Sequence, residues 1–173
     1  GELVDAASGA TYDVIDPTTG EQIELGVKYQ PAGRETWMTA SAYEITRQNI
    51  TTPDPLRQNF NVQTGETTSR GVELELNSSL SDRLNLIASY SYTETEVTAS
   101  NASDLGKELP EIPDHLASLW LDYDFSDLLQ GLVIGGGVRH VGESYGDTLN
   151  TFSADSRTLL DMTARFDPGS TGI

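Results

Sequence analysis

The chain has 173 residues, of which 36% are hydrophobic, and it contains no cysteine. The absence of cysteine excludes a disulfide framework and a thiolate metal site. The formal net charge of −17 comes from 27 acidic and 10 basic residues, which argues against binding nucleic acid, since phosphates are recognised through Lys and Arg.

Seven segments alternate apolar and polar residues with a period of two, the pattern of a β-strand with one apolar face. In chain order they are 20–30, 34–50, a segment centred on Val72, Leu74 and Leu76, 83–97, 115–125, 131–146 and 157–167. No long window shows the periodicity of a helix. We therefore predict an all-β protein of about seven strands.

Each predicted strand has an apolar phase and a polar phase. The apolar phases contain Ile23, Leu25, Val27 and Tyr29; Trp37, Tyr43 and Ile45; Val72, Leu74 and Leu76; Leu84, Leu86, Ala88, Tyr90 and Tyr92; Ala117, Leu119, Leu121, Tyr123 and Phe125; Leu132, Ile134, Gly136 and Val138; and Leu160, Met162, Ala164 and Phe166. The polar phases contain Glu73, Glu75, Asn85, Ser89, Arg139, Asp161 and Arg165.

Short and long connections alternate along the chain. Short turns are predicted at 31–34, 79–83 and 126–130, and long polar connections at 51–66, 98–114 and 145–157. This alternation predicts an antiparallel up-and-down meander with all tight turns at one end. Outer-membrane barrels have this asymmetry, whereas a Greek-key sandwich has no reason to sort its loops by length.

Two further features favour a barrel in a membrane. The predicted strands exceed the roughly 5 to 6 residues usual in globular proteins. Aromatic residues lie near strand ends, as expected for a girdle at the level of the lipid headgroups. These residues are Tyr29, Trp37, Tyr90, Tyr92, Tyr123, Phe125 and Phe166.

Five motifs occur in a fixed order and spacing. They are "GEQIELGVKYQP", "SAYEITRQNI", "SRGVELELNSSLSDRLNLIASYSYTETEV", "ELPEIPDHLASLWLDYDF" and "GLVIGGGVRHVGESYGD". Together they resemble the C-terminal part of the barrel of TonB-dependent siderophore receptors of the ferrichrome-receptor-like group. The resemblance extends from about Asp16 to Asp167.

The resemblance implies a barrel of about 22 strands with a plugged lumen, which imports ferric siderophores with energy passed through TonB. Residues 1–173 are then expected to be a fragment of that barrel domain, without the plug domain and the final strands. Localisation in the bacterial outer membrane is implied, with outer-membrane lipid, a ferric siderophore and TonB as partners and no cofactor.

The resemblance also implies an orientation. The short turns would face the periplasm, and the long connections, together with residues 1–19, would lie outside the cell. Val72, Leu74 and Leu76 would face lipid, and the polar phases of the strands would face the lumen.

The sequence contains no catalytic constellation, so we expect no enzyme. His115 and His140 lie in strand contexts and are not expected to ligate a metal. The glycine run at 134–138 is not followed by a helix and is not a phosphate loop; glycine in a strand more often marks a bend or a close approach. The stretch "DTLNTFSAD" contains two acids and an amide, Asp147, Asp155 and Asn150. They lack the ligand spacing of an EF-hand calcium site and are expected to be solvated.

Four residues of the long connections are suited to contact a siderophore. The family's sites, as the resemblance implies, are lined by aromatic and polar residues of the outer loops and the plug. The candidates are Arg57, Phe60, Tyr145 and Phe152.

The leading hypothesis is a fragment of a TonB-dependent ferric siderophore receptor that binds and imports without catalysis. One alternative is a soluble extracellular β-rich adhesive or binding domain whose apolar faces pack on each other. A hydrolytic barrel enzyme is disfavoured because no catalytic triad can be assembled.

Overall fold

The computed structural model describes residues 3–5, 11–13, 18–32 and 35–167. Part of the predicted 31–34 turn, most of the predicted outer loop 1–19 and the C-terminal residues 168–173 lie outside the described residues. The strands are β1 (Leu3–Asp5), β2 (Thr11–Asp13), β3 (Thr19–Tyr29), β4 (Thr36–Pro53), β5 (Asn61–Ser81), β6 (Leu84–Ala99), β7 (His115–Asp124), β8 (Leu132–Val141), β9 (Ser144–Tyr145), β10 (Ser153–Ala154) and β11 (Arg157–Phe166).

Seven of these strands form one antiparallel sheet in the order β11-β8-β7-β6-β5-β4-β3. Each neighbours the next large strand along the chain, so the predicted seven-stranded meander is confirmed. The short pairs β1–β2 and β9–β10 form two separate ribbons. Within the described residues there is no helix long and apolar enough to span a membrane.

The cross-strand register separates the sheet into two faces of opposite character. One row across the strands reads Val27, Ala40, Leu74, Tyr90 and Ala117. The adjacent row on the other face reads Gly26, Ser41, Glu73 and Ser91. We call these surfaces the apolar face and the polar face. For six of the seven strands the apolar residues lie on the predicted side.

Strand β4 contradicts its predicted phase. Trp37 and Tyr43 pair with residues of the polar face, because Trp37 is opposite Asn77 and Tyr43 is opposite Glu24. Ile45 has the same parity, and the apolar face of β4 consists of Met38, Ala40 and Ala42. The Nζ of Lys28 lies 5.7 Å from the ring centroid of Trp37. Trp37 is therefore not part of an aromatic girdle on the apolar face.

Two of the predicted loops contain strand. Strands β4 and β5 continue to Pro53 and start again at Asn61, so the 51–66 connection shortens to 54–60. The ladder is irregular on both sides of Ile50, next to Asn49 with its positive φ of 60°, and resumes with Thr51 opposite Gln63. The 145–157 connection contains the β9–β10 ribbon, in which Tyr145 pairs with Ser153.

Nothing in the described chain covers the apolar face. Leu74 is 47% exposed and Leu119 is 39% exposed, although both lie on strands with a neighbour on each side. Among the described hydrophobic residues only Val97, at 7%, is buried. The described residues form no layer opposite the sheet, so this part of the chain encloses no apolar core.

Aromatic residues mark both ends of the apolar face. At the short-turn end the rings of Tyr123 and Phe125 are 4.6 Å apart. At the loop end His115 packs 5.1 Å from Tyr92 and bonds the Tyr90 hydroxyl through Nδ1 at 3.0 Å. Such belts are typical of amphipathic rings at two membrane interfaces.

Candidate functional site at the loop end of the sheet

The polar face is a wall of cross-strand hydrogen bonds and ring contacts. Tyr43 lies across Gly71 and reaches the Thr93 hydroxyl at 2.9 Å. Near the β11 edge of the same face Arg139 forms a bidentate pair with Asp161, with Nε–Oδ2 at 2.8 Å and Nη2–Oδ1 at 3.2 Å. These contacts fix the strand register without an apolar core.

The glycine run 134–138 has a steric explanation. A Cβ on Gly137 would be 2.5 Å from Trp120 Cε3, and a Cβ on Gly135 would be 2.7 Å from Trp120 Cζ2. The indole thus lies flat over two glycines of the neighbouring strand. The run marks a close approach, which is one of the two roles expected for glycine in a strand.

The middle loop, residues 100–114, folds against the end of β6 instead of projecting from the sheet. Its backbone exchanges hydrogen bonds with Val97, which donates to Lys107 O and accepts from Gly106 N, each at 2.8 Å. The amide of Leu109 donates to Thr95 Oγ1 at 3.0 Å. Because Thr95 and Val97 belong to the polar face, the middle loop covers that face.

Two asparagines join the middle loop to its neighbours. Asn101 Nδ2 donates to Thr64 Oγ1 at 2.9 Å and to Thr52 Oγ1 at 3.2 Å. On the other side, Asn150 accepts from Glu108 N at 2.9 Å and donates to Glu108 O at 3.1 Å. The middle loop is therefore bonded to the loop ends of β4 and β5 on one side and to the last long connection on the other, and together they form one hydrogen-bonded layer over the loop end of the sheet.

A cavity of about 240 Å³ lies beneath this layer. Its walls come from the polar-face ends of β4, β5 and β6, from the middle loop and from the last long connection. The lining residues are Arg47, Ile50, Thr51, Thr52, Gly65, Glu66, Thr67, Val97, Ala99, Ser100, Asp104, Glu108, Leu109, Pro110 and Thr148. The cavity lies where three strands and two loops meet and is the candidate site.

The loop acids differ in their electrostatic setting. The pKa of Glu108 is raised, first by burial and then by the negative charges of Asp114, Glu94 and Glu143. The pKa of Asp147 is lowered because its carboxylate accepts hydrogen bonds from the hydroxyl and the amide of Thr151. Excess negative charge is therefore concentrated around Glu108.

The four ligand candidates lie in two separate loops. Arg57 and Phe60 belong to one turn at 54–60, where the Phe60 amide donates to Arg57 O at 3.3 Å. Tyr145 and Phe152 flank the tip of the last connection, where the Gly146 amide donates to Phe152 O at 3.0 Å. Within the part of the chain that the structure describes, no hydrogen bond or ring contact joins the two pairs. Their contact with a ligand stays a prediction.

Sequence reasoning missed the residues that build the cavity. Asn101, Asn150 and Thr67 are ordinary polar residues in polar stretches, and no motif marks them. The only available signal was the positive-φ tolerance of Asn, which Asn150 uses at 54°. The prediction that Asn150 is solvated is wrong, because it bonds the Glu108 backbone.

A family model described as TonB dependent receptor-like, beta-barrel matches residues 3–172. The chain belongs to this family. It is part of an outer-membrane β-barrel, which explains why the described residues form a sheet without an opposing layer. In barrels of this kind the apolar side of each strand meets lipid and the polar side lines the interior.

Named relatives agree with this assignment. The chain is 39% identical over 166 residues to the ferrichrome outer membrane transporter/phage receptor of Escherichia coli K12, covering 95% of the chain and 22% of the relative. It is 41% identical over 166 residues to the ferrioxamine B receptor of Salmonella typhimurium SL1344, covering 93% and 23%. The crystal structure of BauA, the ferric preacinetobactin receptor of Acinetobacter baumannii, superposes with a TM-score of 0.77 at 28% identity, covering 94% and 24%. The chain thus spans less than a quarter of the length of these proteins.

Proposed function

We propose that this chain is a segment of an outer-membrane receptor that imports ferric siderophores with energy supplied through TonB. The observation that carries the proposal is the two-faced sheet without a core, in a chain that belongs to the TonB-dependent receptor family. The named relatives that share 39% and 41% of its residues are ferrichrome and ferrioxamine B receptors, which supports a ferric siderophore as the ligand.

The dimensions of the apolar face suit a membrane. On β6 it extends from Leu84 to Tyr92, which corresponds to roughly 27 Å along the strand. A strand tilted by about 40° would cover roughly 20 Å of membrane with this length, close to the ~25 Å apolar band of outer-membrane barrels. At the loop end the apolar face stops at a charged pair, Arg70 and Glu44, with Nε–Oε2 at 3.8 Å.

The soluble alternative requires a second layer over the apolar face. An open sheet with exposed residues such as Leu74 and two free edges would associate in water. This alternative predicts a cooperative, monomeric fold for the 173-residue chain in detergent-free buffer. Observation of that monomer would remove the lipid assignment.

In this mechanism the chain binds and positions ligand but performs no covalent chemistry. The layer formed by the middle loop and the last long connection is proposed to stand at the outer mouth of the lumen, and the polar face continues from it toward the short turns. Glu73 and Glu75 are proposed to face water or a plug domain within the lumen. Arg57, Phe60, Tyr145 and Phe152 are the proposed first contacts outside.

The test is uptake of ⁵⁵Fe by the complete polypeptide to which this chain belongs. It would be produced in an E. coli strain that lacks its own siderophore receptors and supplied with ferrichrome, ferrioxamine B or other ferric siderophores. We expect uptake of at least one that disappears when TonB is deleted. Correctly assembled protein without TonB-dependent uptake of any ferric siderophore would refute the proposal.

A further inference from the structure

The apolar face carries a groove of about 410 Å³ that crosses β3 to β6. Its floor consists of the small side chains of Ala40 and Ala88. Thr39, Glu75 and Ser89 also line it, but by register their side chains belong to the polar face. The remaining lining residues are Val27, Tyr29, Met38, Leu74, Leu76 and Tyr90. Since the side chains that face the groove are aliphatic or aromatic, the group that fills it is a hydrocarbon chain.

A row of three charged side chains ends the apolar face on the loop side. Glu44 is opposite Arg70 on the next strand, and Arg70 is opposite Glu94 on the strand after that. Arg70 has the parity of Val72 and therefore belongs to the apolar face. Neighbouring strands are about 4.8 Å apart, so each glutamate is one strand spacing from the arginine. The row is negative, positive and negative in turn.

The protein leaves these charges available to a ligand. The Nε of Arg70 is 3.8 Å from Oε2 of Glu44, which is too long for a hydrogen bond, and the two side chains are 54% and 53% exposed. Within the described residues the Arg70 side chain donates no hydrogen bond and the Glu94 carboxylate accepts none. The guanidinium can therefore donate to an anion, and the carboxylates can accept from a cation.

The surroundings of the row select the net charge of the headgroup. Loopward of the row the described strands carry Glu66 and Glu96 on the same face and no lysine or arginine. This excess of carboxylates repels an anionic headgroup. A headgroup with both a phosphate and an ammonium matches the row in sign. In phosphoethanolamine two carbon atoms separate the ammonium from the phosphate, which corresponds to about one strand spacing.

The distance between the row and the groove suits a single lipid molecule. Ala40 is four residues from Glu44 on β4, which is roughly 14 Å along the strand. At a tilt of about 40° this distance becomes a depth of roughly 10 Å, which is less than half of the ~25 Å apolar band of outer-membrane barrels. An acyl chain whose headgroup is at the row therefore reaches the groove within its own leaflet.

We propose that this surface binds a phospholipid with a phosphoethanolamine headgroup. The phosphate accepts from Arg70, the ammonium donates to Glu44 or Glu94, and one acyl chain lies in the groove. A guanidinium donates two parallel hydrogen bonds to one phosphate, and an ammonium has three N–H donors for the carboxylates. This inference rests on the membrane assignment within the proposed function and names the lipid that the apolar face selects.

The first experiment measures lipid binding to the complete receptor in detergent by native mass spectrometry. The probes are phosphatidylethanolamine, phosphatidylglycerol and phosphatidylcholine with identical acyl chains, and lipid A. We expect phosphatidylethanolamine to bind most tightly, because phosphatidylglycerol lacks the ammonium and the trimethylated ammonium of phosphatidylcholine has no N–H to donate. Equal or tighter binding of any other probe would overturn the proposal.

Charge variants locate the headgroup. Arg70→Gln and the double variant Glu44→Gln/Glu94→Gln are each expected to weaken phosphatidylethanolamine binding about fivefold, the effect of a part-exposed ion pair. The matched control is Glu73→Gln/Glu75→Gln, which removes two carboxylates from the polar face. If the double variant of the row binds phosphatidylethanolamine as tightly as this control, the headgroup assignment is wrong.

Size variants locate the acyl chain. Ala40→Leu fills the groove and is expected to weaken phosphatidylethanolamine binding. Ala117→Leu is the matched control, because Ala117 is opposite Tyr90 on the same face but does not line the groove. Equal binding by the two variants would contradict the proposed site.

Uptake of ⁵⁵Fe separates this inference from the receptor function. Arg70→Gln and Ala40→Leu change the apolar face only, so uptake per folded receptor should equal that of the wild type. TonB-dependent uptake together with equal binding of phosphatidylethanolamine and phosphatidylglycerol would overturn the lipid site and leave the receptor function standing. Selective phosphatidylethanolamine binding without uptake of any ferric siderophore would refute the receptor function and leave the lipid site standing.

Discussion

The assignment of the two faces can be tested by placing the same charged side chain on each. Leu74 is the middle member of the apolar triplet on β5, and Glu73 is the adjacent residue on the polar face. We predict that Leu74→Arg destabilises the barrel and that Glu73→Arg does not. The two substitutions lie on one strand, one residue apart.

The size of the effect follows from the environment of Leu74. It is paired with Ala40 on one side and Tyr90 on the other, so no carboxylate lies directly opposite to receive the guanidinium. An arginine near the membrane midplane of an outer-membrane barrel costs about 2–4 kcal/mol, against about zero for a lumenal position. This range corresponds to a roughly 30- to 1000-fold change in the folding equilibrium.

The assay uses the complete receptor in the outer membrane. Folded protein is quantified by heat-modifiable migration on gels, and stability by thermal unfolding of the purified receptor in detergent micelles. Leu74→Arg should lower both quantities, and Glu73→Arg should match the wild type within experimental error. Equal losses for the two variants, or a larger loss for Glu73→Arg, would show that the faces have been assigned incorrectly.

Three further predictions concern the lumenal wall and the loop layer. Gly137→Ala should lower the thermal unfolding temperature, because its Cβ would lie 2.5 Å from Trp120 and 2.7 Å from Leu119 O. Overpacking of this kind costs about 1–3 kcal/mol. Gly136→Ala is the control, because the atom nearest to its Cβ would be 3.8 Å away. Asn150→Ala should speed proteolysis of the middle loop about tenfold, since it removes both hydrogen bonds to the Glu108 backbone. Asn59→Ala is the control for the positive φ, which is 64° at Asn59 and 54° at Asn150. An equal effect of the two substitutions would contradict the role of those hydrogen bonds. The raised pKa of Glu108 means that the folded loop favours the protonated acid, so loop stability should fall as the pH rises through that pKa. Hydrogen-exchange protection of the Leu109 amide should follow this pH dependence in the wild type and in Glu111→Gln, and should lose it in Glu108→Gln.

The strands were predictable because their chemistry is local. Lumenal and lipid-facing residues alternate along each strand, so "GVELEL" places three apolar residues on one side and two glutamates on the other. The turn predicted at 79–83 is present but shorter, because β5 continues to Ser81 and meets β6 across residues 82 and 83.

Strand β4 shows where local pattern fails. It has large apolar residues in both phases, Met38 in one and Trp37 in the other, so the alternation rule chose the bulkier set and was wrong. Pairing with β3 and β5 decides the phase, because a one-residue change of register would transfer every side chain of β4 to the opposite face. That information belongs to the neighbouring strands and not to β4.

The candidate site was less predictable than the fold. Aromatic and basic residues of the loops could be nominated from residue type alone, and their role stays a prediction. The cavity depends on Asn101 and Asn150, whose partners are 37 to 49 residues away in the chain. No spacing rule connects residues at such separations.

The sequence by itself determined the strands, their order as a meander, and the division of the long and short connections between two ends. It did so because period-two alternation and turn chemistry act over a few residues. Only the tertiary structure decided the facing of Trp37 and Tyr43, the folding of the middle loop over the polar face, and the position of Thr67 and Glu108 along one cavity. These features depend on hydrogen bonds and register between distant strands, which exist only once the sheet is assembled.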